Sequence, residues 1–362
     1  MKIVIRAGGI GTRLWPMSRK NNPKQFQKVV GSKTMIRTTY ERIFDLAKKS
    51  DDIFMSINEQ FIDKAKNEVP EIVDKNIIIE TDTRNTGPAM CLEVCFLKKY
   101  CDSNDVIASL PSDDYISNSN IFRDLLLTTE KFIKENPEYI LTPAICPDYP
   151  DTGYTYFKAG KNLWQNKKEA IFSVAGIVEK PNLEYCKDLI KTGIYYCHTG
   201  MYLWQLGHIM KLFKKFQPNM YKICSKIADD LFLNNKVSIK NRKLYSSLEK
   251  ISIETAITNK TDKIAMSVSN QIGWSDLGKW HIIKKILKQN RENLVKGNVK
   301  SNNSENNLIY NTNNKKIIVV NDINNLVIID TKDALFISSL EKSADVKKIV
   351  EKLEEEKLEN YL

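Results

Sequence analysis

Long apolar runs are missing from this sequence, and histidine, glycine and proline are scarce. No segment approaches the roughly 18 uninterrupted apolar residues that a membrane-spanning helix needs. The N-terminus turns polar after Ile3-Val4-Ile5, so we expect no signal peptide. Only 3 histidines, 14 glycines and 11 prolines occur among 362 residues, which excludes collagen-like and low-complexity chains. With 42% hydrophobic and 27% charged residues, the composition is typical of a soluble globular chain with a sizeable core.

Cysteine pairs with the spacing of a zinc or redox site are also missing. The seven cysteines, at positions 91, 95, 101, 146, 186, 197 and 224, form no Cys-x-x-Cys pair. Together with the absence of an export signal, this pattern indicates reduced thiols, and we expect a cytoplasmic protein.

Basic residues outnumber acidic ones, 55 against 44, which gives a net charge of +11. Such an excess attracts polyanions. The lysines are scattered along the chain and form neither a dense basic run nor a recognisable nucleic-acid-binding motif. We therefore expect a small polyanionic ligand, with no nucleic acid and no membrane as partner; a nucleic-acid binder is the alternative that the charge leaves open.

Short apolar runs alternate with helical stretches over the first half of the chain. The runs that predict strands are Lys2–Arg6, Ile53–Ile57, Ile77–Glu80, Val106–Leu110, Tyr139–Pro143 and Phe172–Glu179. The helical stretches between them are Thr34–Ser50, Gln60–Val69, Ala89–Tyr100 and Phe122–Asn136. This alternation predicts an α/β fold with a Rossmann-like, mostly parallel mixed sheet and helices on both faces. Ligands of such sheets bind beyond the carboxyl ends of the strands.

A glycine-rich loop follows the first predicted strand and contains Gly8, Gly9, Gly11, Thr12 and Arg13. Glycines let backbone N–H groups approach a phosphate closely. The loop is not a dinucleotide fingerprint, because the third glycine would fall at Leu14, and the Walker pattern is absent. Arg13 and Lys24 add a forked donor and a point charge, which suit a triphosphate. The alternative is a purely structural turn.

The segment Ala7–Arg19, followed by Pro23–Phe26, resembles the opening signature of the mannose-1-phosphate guanylyltransferases, which are sugar-phosphate nucleotidyltransferases. Further matches follow in family order at Arg84–Ala89, Pro111–Asp114, Val178–Pro181 and Trp274–Gly278. The resemblance spans nearly the whole chain and implies a nucleotide-diphospho-sugar transferase fold over residues 1–288. It also implies a small, left-handed β-helix-like module with a terminal helix over 289–362, where the sequence becomes rich in asparagine. That module carries no candidate chemistry, so we expect a packing or oligomerisation role, which is compatible with a homodimer; a faint internal repeat is too degenerate to predict more.

Two aspartates are candidate metal ligands. Asp113 follows the predicted strand Val106–Leu110, and Asp276 lies far along the chain in Trp274–Gly278. Mg²⁺ prefers one or two carboxylates together with substrate phosphates. The resemblance implies that both aspartates hold Mg²⁺ between the nucleotide and the sugar phosphate, with Asp113 also in the nucleotide site. Taken singly, Asp113 could lie in an ordinary turn and Asp276 could cap a helix.

The resemblance implies in-line attack of a sugar 1-phosphate on the α-phosphorus of a nucleoside triphosphate. Such a phosphate is already ionised at neutral pH, so the site needs cations that position two polyanions rather than a base. The predicted catalytic residues are Arg13, Lys24 and Lys180. Glu80 and Asn85 are candidate guanine readers, because a carboxylate can accept two adjacent donors of guanine. A structural ion pair between Glu80 and Arg84 is the alternative.

The predicted sugar site contains Gly153, Glu179, Lys180 and His198. Glu179 and Lys180 follow a predicted strand, and the resemblance assigns sugar hydroxyls to Glu179 and the sugar phosphate to Lys180; the alternative is an exposed pair. The chain departs from the family at His198 and Thr199, where relatives have Asn-Ser, at Asp114, where they have histidine, and at Ile10.

The most specific interpretation of these motifs is transfer of GMP from GTP to α-D-mannose 1-phosphate, with GDP-mannose and pyrophosphate as products. The departures at His198, Thr199 and Asp114 leave open another sugar 1-phosphate or another nucleoside triphosphate. An alternative of a different class is a nucleotide-sugar sensor that binds without turnover. The intact residues Asp113 and Asp276 argue against that alternative.

Overall fold

The computed structural model describes residues 1–9, 11–47, 49–269, 271–288, 290–313 and 315–362. Ile10, one of the departures in the glycine-rich loop, lies outside them. The chain forms two compact units, each assembled from distant parts of the sequence. The first contains residues 1–8, 36–112 and 116–274, and the second contains residues 9–35, 113–115 and 275–362. The division at 288/289 concerns sequence domains and stays a prediction.

The strands of the described residues are β1 (Lys2–Ala7), β2 (Ile53–Asn58), β3 (Ile77–Glu80), β4 (Val106–Pro111), β5 (Asp114–Ile116), β6 (Ile140–Ile145), β7 (Thr155–Gln165), β8 (Ala170–Glu179), β9 (Tyr195–His198), β10 (Tyr202–Gln205), β11 (Ile264–Val268), β12 (Trp274–Asp276), β13 (Leu294–Lys296), β14 (Val299–Asn302), β15 (Leu308–Asn311), β16 (Ile318–Asn321), β17 (Leu326–Asp330) and β18 (Leu335–Ser339).

The helices of the same residues are α1 (Met35–Ile43), α2 (Ile62–Glu68), α3 (Thr86–Leu97), α4 (Ser119–Glu135), α5 (Leu183–Lys191), α6 (Leu206–Phe216), α7 (Pro218–Asn234), α8 (Ile239–Ser246), α9 (Ile253–Ala256), α10 (Trp280–Leu287) and α11 (Val346–Glu355). Within the described ranges, no helix combines the length and the apolar character that crossing a membrane requires.

The sheet of the first unit has the strand order β11-β8-β7-β9-β6-β10-β4-β1-β2-β3. Strands β3, β2, β1 and β4 pair in parallel, as the alternating sequence predicts. Strands β6 to β10 pair mainly antiparallel, and β11 is parallel to β6. The predicted α/β class with a mixed sheet is confirmed. The antiparallel half was harder to predict, because strands such as β7 are half exposed and lack a continuous apolar run.

Helix α3 is buried along almost its whole length, which explains why its sequence is apolar on every side. It begins at Thr86, earlier than the predicted Ala89, because the side chain of Asn85 accepts a hydrogen bond from the Thr86 N–H at 2.8 Å. Pro88 is tolerated there, since N–H groups in the first turn need no partner within the helix. The helix carries one buried acid, Glu93.

The C-terminal module is built from coils of 19 residues. Strand β14 pairs in parallel with β16, and β15 pairs with β17, each offset by that spacing. Asn306 and Asn325 occupy the same corner of successive coils, with φ angles of 55° and 60°. The side chain of Asn306 donates to that of Asn325 at 2.6 Å. Asparagine tolerates this left-handed conformation better than most residues, so the asparagine-rich composition serves the corners of the coils.

The core of the second unit joins the segment 9–35 to the C-terminal module. Trp15 packs in one apolar cluster with Trp280, Tyr310 and Phe336, and the cluster also contains Leu362. All five side chains are buried. The chain that follows the glycine-rich loop is therefore held by residues that lie hundreds of positions later.

Candidate active site

The glycine-rich loop leaves β1 and turns sharply in the second unit. Gly9 and Gly11 have φ angles of 85° and 68°, in the region that favours glycine. A β-carbon at Gly11 would collide with the side chain of Lys24. Gln25 and Ser18 donate side-chain hydrogen bonds to the carbonyl groups of Gly9 and Gly11, respectively. The loop thus brings its backbone against Lys24 and needs glycine to do so.

Thr12 and Arg13 lie in the short 3-10 turn Thr12–Leu14 that follows the loop. Leu14 is buried, whereas Arg13 is exposed. The buried leucine anchors the turn, and the arginine remains accessible to an anion. In the first unit, Gly8 lies beside Glu80: a β-carbon at Gly8 would come within 3.9 Å of the Glu80 carboxylate.

Lys24 holds the two candidate metal ligands together. Its Nζ lies 3.0 Å from Asp113 Oδ2 and 2.9 Å from Asp276 Oδ1. The lysine side chain is only 3% exposed, whereas Asp113 and Asp276 are 34% and 30% exposed. Two carboxylates far apart in the sequence therefore converge on one cation, and each keeps an accessible side. We call these three residues the lysine–aspartate cluster.

Neighbouring charges of the second unit favour the ionised forms of Lys24 and Asp276. Burial alone would lower the pKa of Lys24, but attraction to Asp113 and Asp276 outweighs it and raises the pKa above the ordinary value. Burial opposes ionisation of Asp276 as well, yet Lys24 lowers the pKa of this carboxyl, helped by Arg13 and Lys279. The ammonium of Lys24 and the carboxylate of Asp276 therefore stabilise each other's charged forms, and the Asp113 carboxyl lies 3.0 Å from the same ammonium.

The lysine–aspartate cluster fits a divalent ion that takes its remaining ligands from a substrate. Two carboxylates that converge on one ammonium can also converge on a metal ion. Within the described ranges, no group of three or more His, Cys, Asp or Glu side chains could hold a metal alone. This donor set matches Mg²⁺, which binds through one or two carboxylates plus phosphates and water. Ligation by Asp113 and Asp276 stays a prediction.

Asp276 owes its position to the short strand β12, which pairs with β5. Gly278 packs against it: a β-carbon there would lie 2.8 Å from Asp276 Oδ1. Asp114 is buried on β5 and adds to the negative charge that Lys24 experiences. The surroundings of the lysine are therefore more acidic than Asp113 and Asp276 alone would make them.

In the first unit, Glu80 ends β3 and is buried. Ser56 Oγ donates to Glu80 Oε1 at 2.9 Å, and burial raises the pKa of the carboxyl. The alternative of an ion pair with Arg84 is wrong, because Arg84 pairs with Asp82 at 2.7 Å. Reading of guanine by Glu80 stays a prediction.

Asn85 has a backbone conformation that almost only glycine adopts, with φ 68° and ψ 179°. Such a residue costs about 1–3 kcal/mol and persists only where its surroundings enforce it. In this conformation the Asn85 side chain accepts the hydrogen bond that caps α3, as described above. The strain marks Asn85 as a special position, and its predicted contact with the base is a separate, untested role.

Glu179 and Lys180 lie at the end of β8 and are 59% and 63% exposed. Their charged groups are 3.4 Å apart. Lys180 has a φ angle of 45°, and its N–H donates to the carbonyl of Tyr154 at 3.1 Å. Gly153 in the same turn donates its N–H to Asp151 Oδ1 at 2.8 Å. The strand end and the predicted glycine loop are thus joined, and both charges face solvent.

His198 ends β9 and is buried against the ring of Phe157, with centroids 4.8 Å apart. Burial lowers the pKa of its imidazole to about 4, so the ring is neutral at neutral pH. Its Nε2 lies buried without a hydrogen-bond partner. Thr199 donates to the carbonyl of Pro143 at 2.7 Å. A sugar-binding role for His198 stays a prediction.

Two charged residues were not singled out from the sequence. Lys279 lowers the pKa of Asp276 and lies only three positions after it. Its place directly after the motif Trp274–Gly278 is the sequence signal that could have identified it. Arg6 interrupts an apolar strand, and its guanidinium donates to Ser109 Oγ at 2.7 Å and to the carbonyl of Gly200 at 2.5 Å. A charged residue inside a buried run is the pattern that could have identified it.

Comparison with known proteins gives concordant matches. A family model described as nucleotidyl transferase matches residues 2–293, and a MannoseP isomerase/GMP-like β-helix domain matches residues 297–353. A mannose-1-phosphate guanylyltransferase of Salmonella montevideo is 32% identical over 362 residues, covering 99% of this chain and 74% of that protein. Another from Escherichia coli is 31% identical over 353 residues, covering 97% and 75%. The crystal structure of a mannose-1-phosphate geranyltransferase from Thermus thermophilus shares the fold, with TM-score 0.84, 22% identity and coverage of 98% and 99%.

Proposed function

This chain belongs to the nucleotidyl transferase family, among the mannose-1-phosphate guanylyltransferases, and from that premise we propose that it transfers GMP from GTP to α-D-mannose 1-phosphate. The products are GDP-mannose and pyrophosphate. The observation that carries the proposal is the lysine–aspartate cluster, in which Asp113 and Asp276 meet at Lys24. Such a cluster next to a glycine-rich loop provides cations for phosphates and carboxylates for a metal.

The chemical task of the site is to bring two polyanions together and to neutralise the charge that builds at the α-phosphorus. Arg13 and Lys24 hold the triphosphate, together with backbone N–H groups of Gly8, Gly9, Gly11 and Thr12. Lys180 positions the phosphate of the sugar, whose oxygen attacks in line while pyrophosphate leaves. Mg²⁺ held by Asp113 and Asp276 supplies further charge neutralisation when bound.

Recognition of the two substrates is assigned to buried and exposed acids of the first unit. Glu80 and Asn85 are assigned to the base, and the Glu80 carboxylate accepts from the adjacent N–H groups of guanine, which adenine lacks. Glu179 accepts from hydroxyls of the sugar. Gly153 lets the backbone approach the hexose closely, and the neutral ring of His198 is expected to complete the sugar site.

The test is release of pyrophosphate from GTP and mannose 1-phosphate by the purified protein. Asp113→Ala and Asp276→Ala are expected to abolish turnover while the fold is retained, as judged by circular dichroism. Exposed carboxylates away from the cluster offer a matched control, and Asp188→Ala should keep the wild-type rate. Full turnover in both cluster variants would refute the assignment of the metal ligands.

A second candidate is the same reaction on another sugar 1-phosphate or another nucleoside triphosphate. It is favoured by His198, which is buried and neutral where family members have asparagine. Initial rates with mannose, glucose and fucose 1-phosphates, each with GTP and with other nucleoside triphosphates, distinguish the two. Tight binding of GDP-mannose without any turnover would instead support a sensor.

The compartment and the assembly complete the proposal. All seven cysteines are free thiols, which suits a reducing compartment such as the cytoplasm. A homodimer remains our expectation for the assembly, and light scattering of the purified protein tests it.

A further inference from the structure

Trp15 lies two residues after Arg13 and is held by hydrogen bonds at its indole N–H and at its backbone carbonyl. Its indole N–H donates to the carbonyl of Tyr361 at 2.7 Å. Its own carbonyl accepts from the indole of Trp280 at 3.1 Å. The ring of Trp15 also packs edge-on against Phe336, with centroids 6.0 Å apart. The segment that follows the glycine-rich loop is therefore hydrogen-bonded to Tyr361, near residue 362.

The terminal helix α11 packs directly against the turn Thr12–Leu14 that carries Arg13. Val346 and Val350 are its buried residues and belong to the same apolar cluster as Leu14 and Trp15. The turn has three residues and cannot hold its own conformation, because short helical turns are only marginally stable alone. Its geometry is therefore imposed by the helix on which it rests.

Ion pairs also join the C-terminal module to residues that follow the turn Thr12–Leu14. Arg19 forms a two-pronged ion pair with Asp333, with distances of 2.8 and 3.4 Å. Lys20 lies 3.0 Å from Glu354 and 3.2 Å from Glu359. These pairs are exposed and individually weak. Together they connect Arg19 and Lys20, two successive residues after the glycine-rich loop, to the C-terminal module.

The C-terminal module also contacts α10, the helix that follows Asp276. Trp280 is fully buried and begins α10, four residues after Asp276. It contacts the ring of Tyr310, whose hydroxyl donates to the carbonyl of Val29 at 3.1 Å. The segments that carry Arg13, Lys24 and Asp276 therefore share one set of supports in the second unit.

We propose that the C-terminal segment 336–362 is a working part of the nucleotide site and that Trp15 is the positioning residue through which it acts. The inference rests on the proposed function, because it assumes that Arg13 binds the triphosphate. Loss of the support displaces the turn and weakens the contact of Arg13 with the nucleotide. The sugar phosphate, assigned to Glu179 and Lys180 of the first unit, should be unaffected.

The first experiment compares Trp15→Phe with the wild type. This variant keeps an aromatic ring and removes the indole N–H, which leaves the Tyr361 carbonyl without its donor. We expect KM for GTP, and Kd for GTP by calorimetry, to rise by up to about 10-fold, which corresponds to the loss of one half-buried hydrogen bond. KM for mannose 1-phosphate should stay at the wild-type value. Trp164→Phe, a half-exposed tryptophan on β7, is the matched control.

The second experiment uses a chain that ends at Glu356 and so lacks Tyr361, Leu362 and Glu359. We expect the same selective loss of GTP affinity, larger than in Trp15→Phe. A role in stability alone would lower the fraction of active protein and the melting temperature, without moving KM for one substrate. If the shortened chain does not fold, Trp15→Phe decides by itself.

The outcomes separate this inference from the proposed function. A wild-type protein that neither binds GTP nor releases pyrophosphate contradicts the proposed function. A wild-type protein that does both, with unchanged GTP affinity in Trp15→Phe, contradicts the positioning role. Equal losses of affinity for GTP and for mannose 1-phosphate also contradict it, because they would show a general loosening of the protein.

Discussion

Lys24 supplies the cation that two aspartates need when no other cation is near. Its ammonium is buried and lies within hydrogen-bond distance of both carboxylates. A metal ion that binds Asp113 and Asp276 must therefore compete with it. An incoming triphosphate offers the ammonium a new partner and so relieves this competition, and we expect metal and nucleotide to bind cooperatively.

Lys24→Met tests this competition. Without the ammonium, the protein free of nucleotide should bind Mn²⁺ more tightly than the wild type, because the two carboxylates lose their counter-ion. Turnover should fall about 10²–10³-fold, as expected when a group that stabilises developing charge is removed. Titration of Mn²⁺ by electron paramagnetic resonance measures the first effect independently of activity. Weaker Mn²⁺ binding in the variant would contradict the competition.

Glu93 is a buried acid whose pKa is raised to about 7 by burial, against the opposing effects of Arg6 and Ser109. Because the folded state holds this proton more tightly than the unfolded chain, the stabilisation is present below the ordinary pKa of 4.5 and is lost as the pH rises through 7. The loss amounts to about 3 kcal/mol.

Glu93→Gln should remove this pH dependence, since the amide can still accept from Ser109 and carries no charge. We expect the variant to gain unfolding free energy relative to the wild type between pH 5 and pH 8, because the wild type loses the stabilisation mainly between the two pKa values of 4.5 and about 7. Urea unfolding at the two pH values measures the difference. Parallel changes in the two proteins would show that Glu93 does not titrate in this range.

At the scale of elements, the sequence predicted strands and helices best where burial is uniform. Strands β1 to β4 have continuous apolar runs and were identified within a residue or two. Strand β7 and the coil strands β13 and β14 carry mixed or short patterns, so periodicity could not reveal them. The 19-residue repeat is hard to recognise between the corner asparagines, because paired strand positions differ in residue type: Lys300 and Ser301 pair with Val319 and Val320.

Asn325 tests whether those corners depend on backbone conformation. Asn325→Ala should lower the unfolding free energy by about 1–2 kcal/mol, because alanine resists the left-handed conformation. Asn325→Gly, the matched control, also removes the bond with Asn306 but accepts the backbone angle at little cost. Thermal unfolding of the two variants compares the effects. Equal losses would assign the effect to the side-chain bond instead.

At the scale of the whole molecule, the sequence motifs alone identified the family, and that identification is confirmed. They also selected Asp113 and Asp276, which the fold brings to Lys24. The bond between Trp15 and Tyr361 could not be predicted, because nothing in the sequence around one residue indicates the other. Local patterns predict local structure and recognised motifs, whereas contacts across hundreds of residues depend on the complete fold.

The distribution of the cysteines gives a prediction for the whole chain. Of the seven thiols, only Cys146 is exposed; Cys101 is half-buried and the other five are buried. Burial raises the pKa of Cys101 to about 12, which keeps it unreactive. Ellman's reagent should therefore modify one thiol rapidly in the native protein and all seven after denaturation. Several fast thiols in the native protein would contradict the described packing.

Apart from residues 113–115, the second unit is built from two distant parts of the sequence, residues 9–35 and 275–362. During synthesis, residues 9–35 leave the ribosome long before residues 275–362, which they pack against, have been made. Until Trp280, Tyr310 and Phe336 have been synthesised, Trp15 lacks the apolar partners that bury it. Folding of the second unit, and with it the support of the glycine-rich loop, is therefore a late event in synthesis.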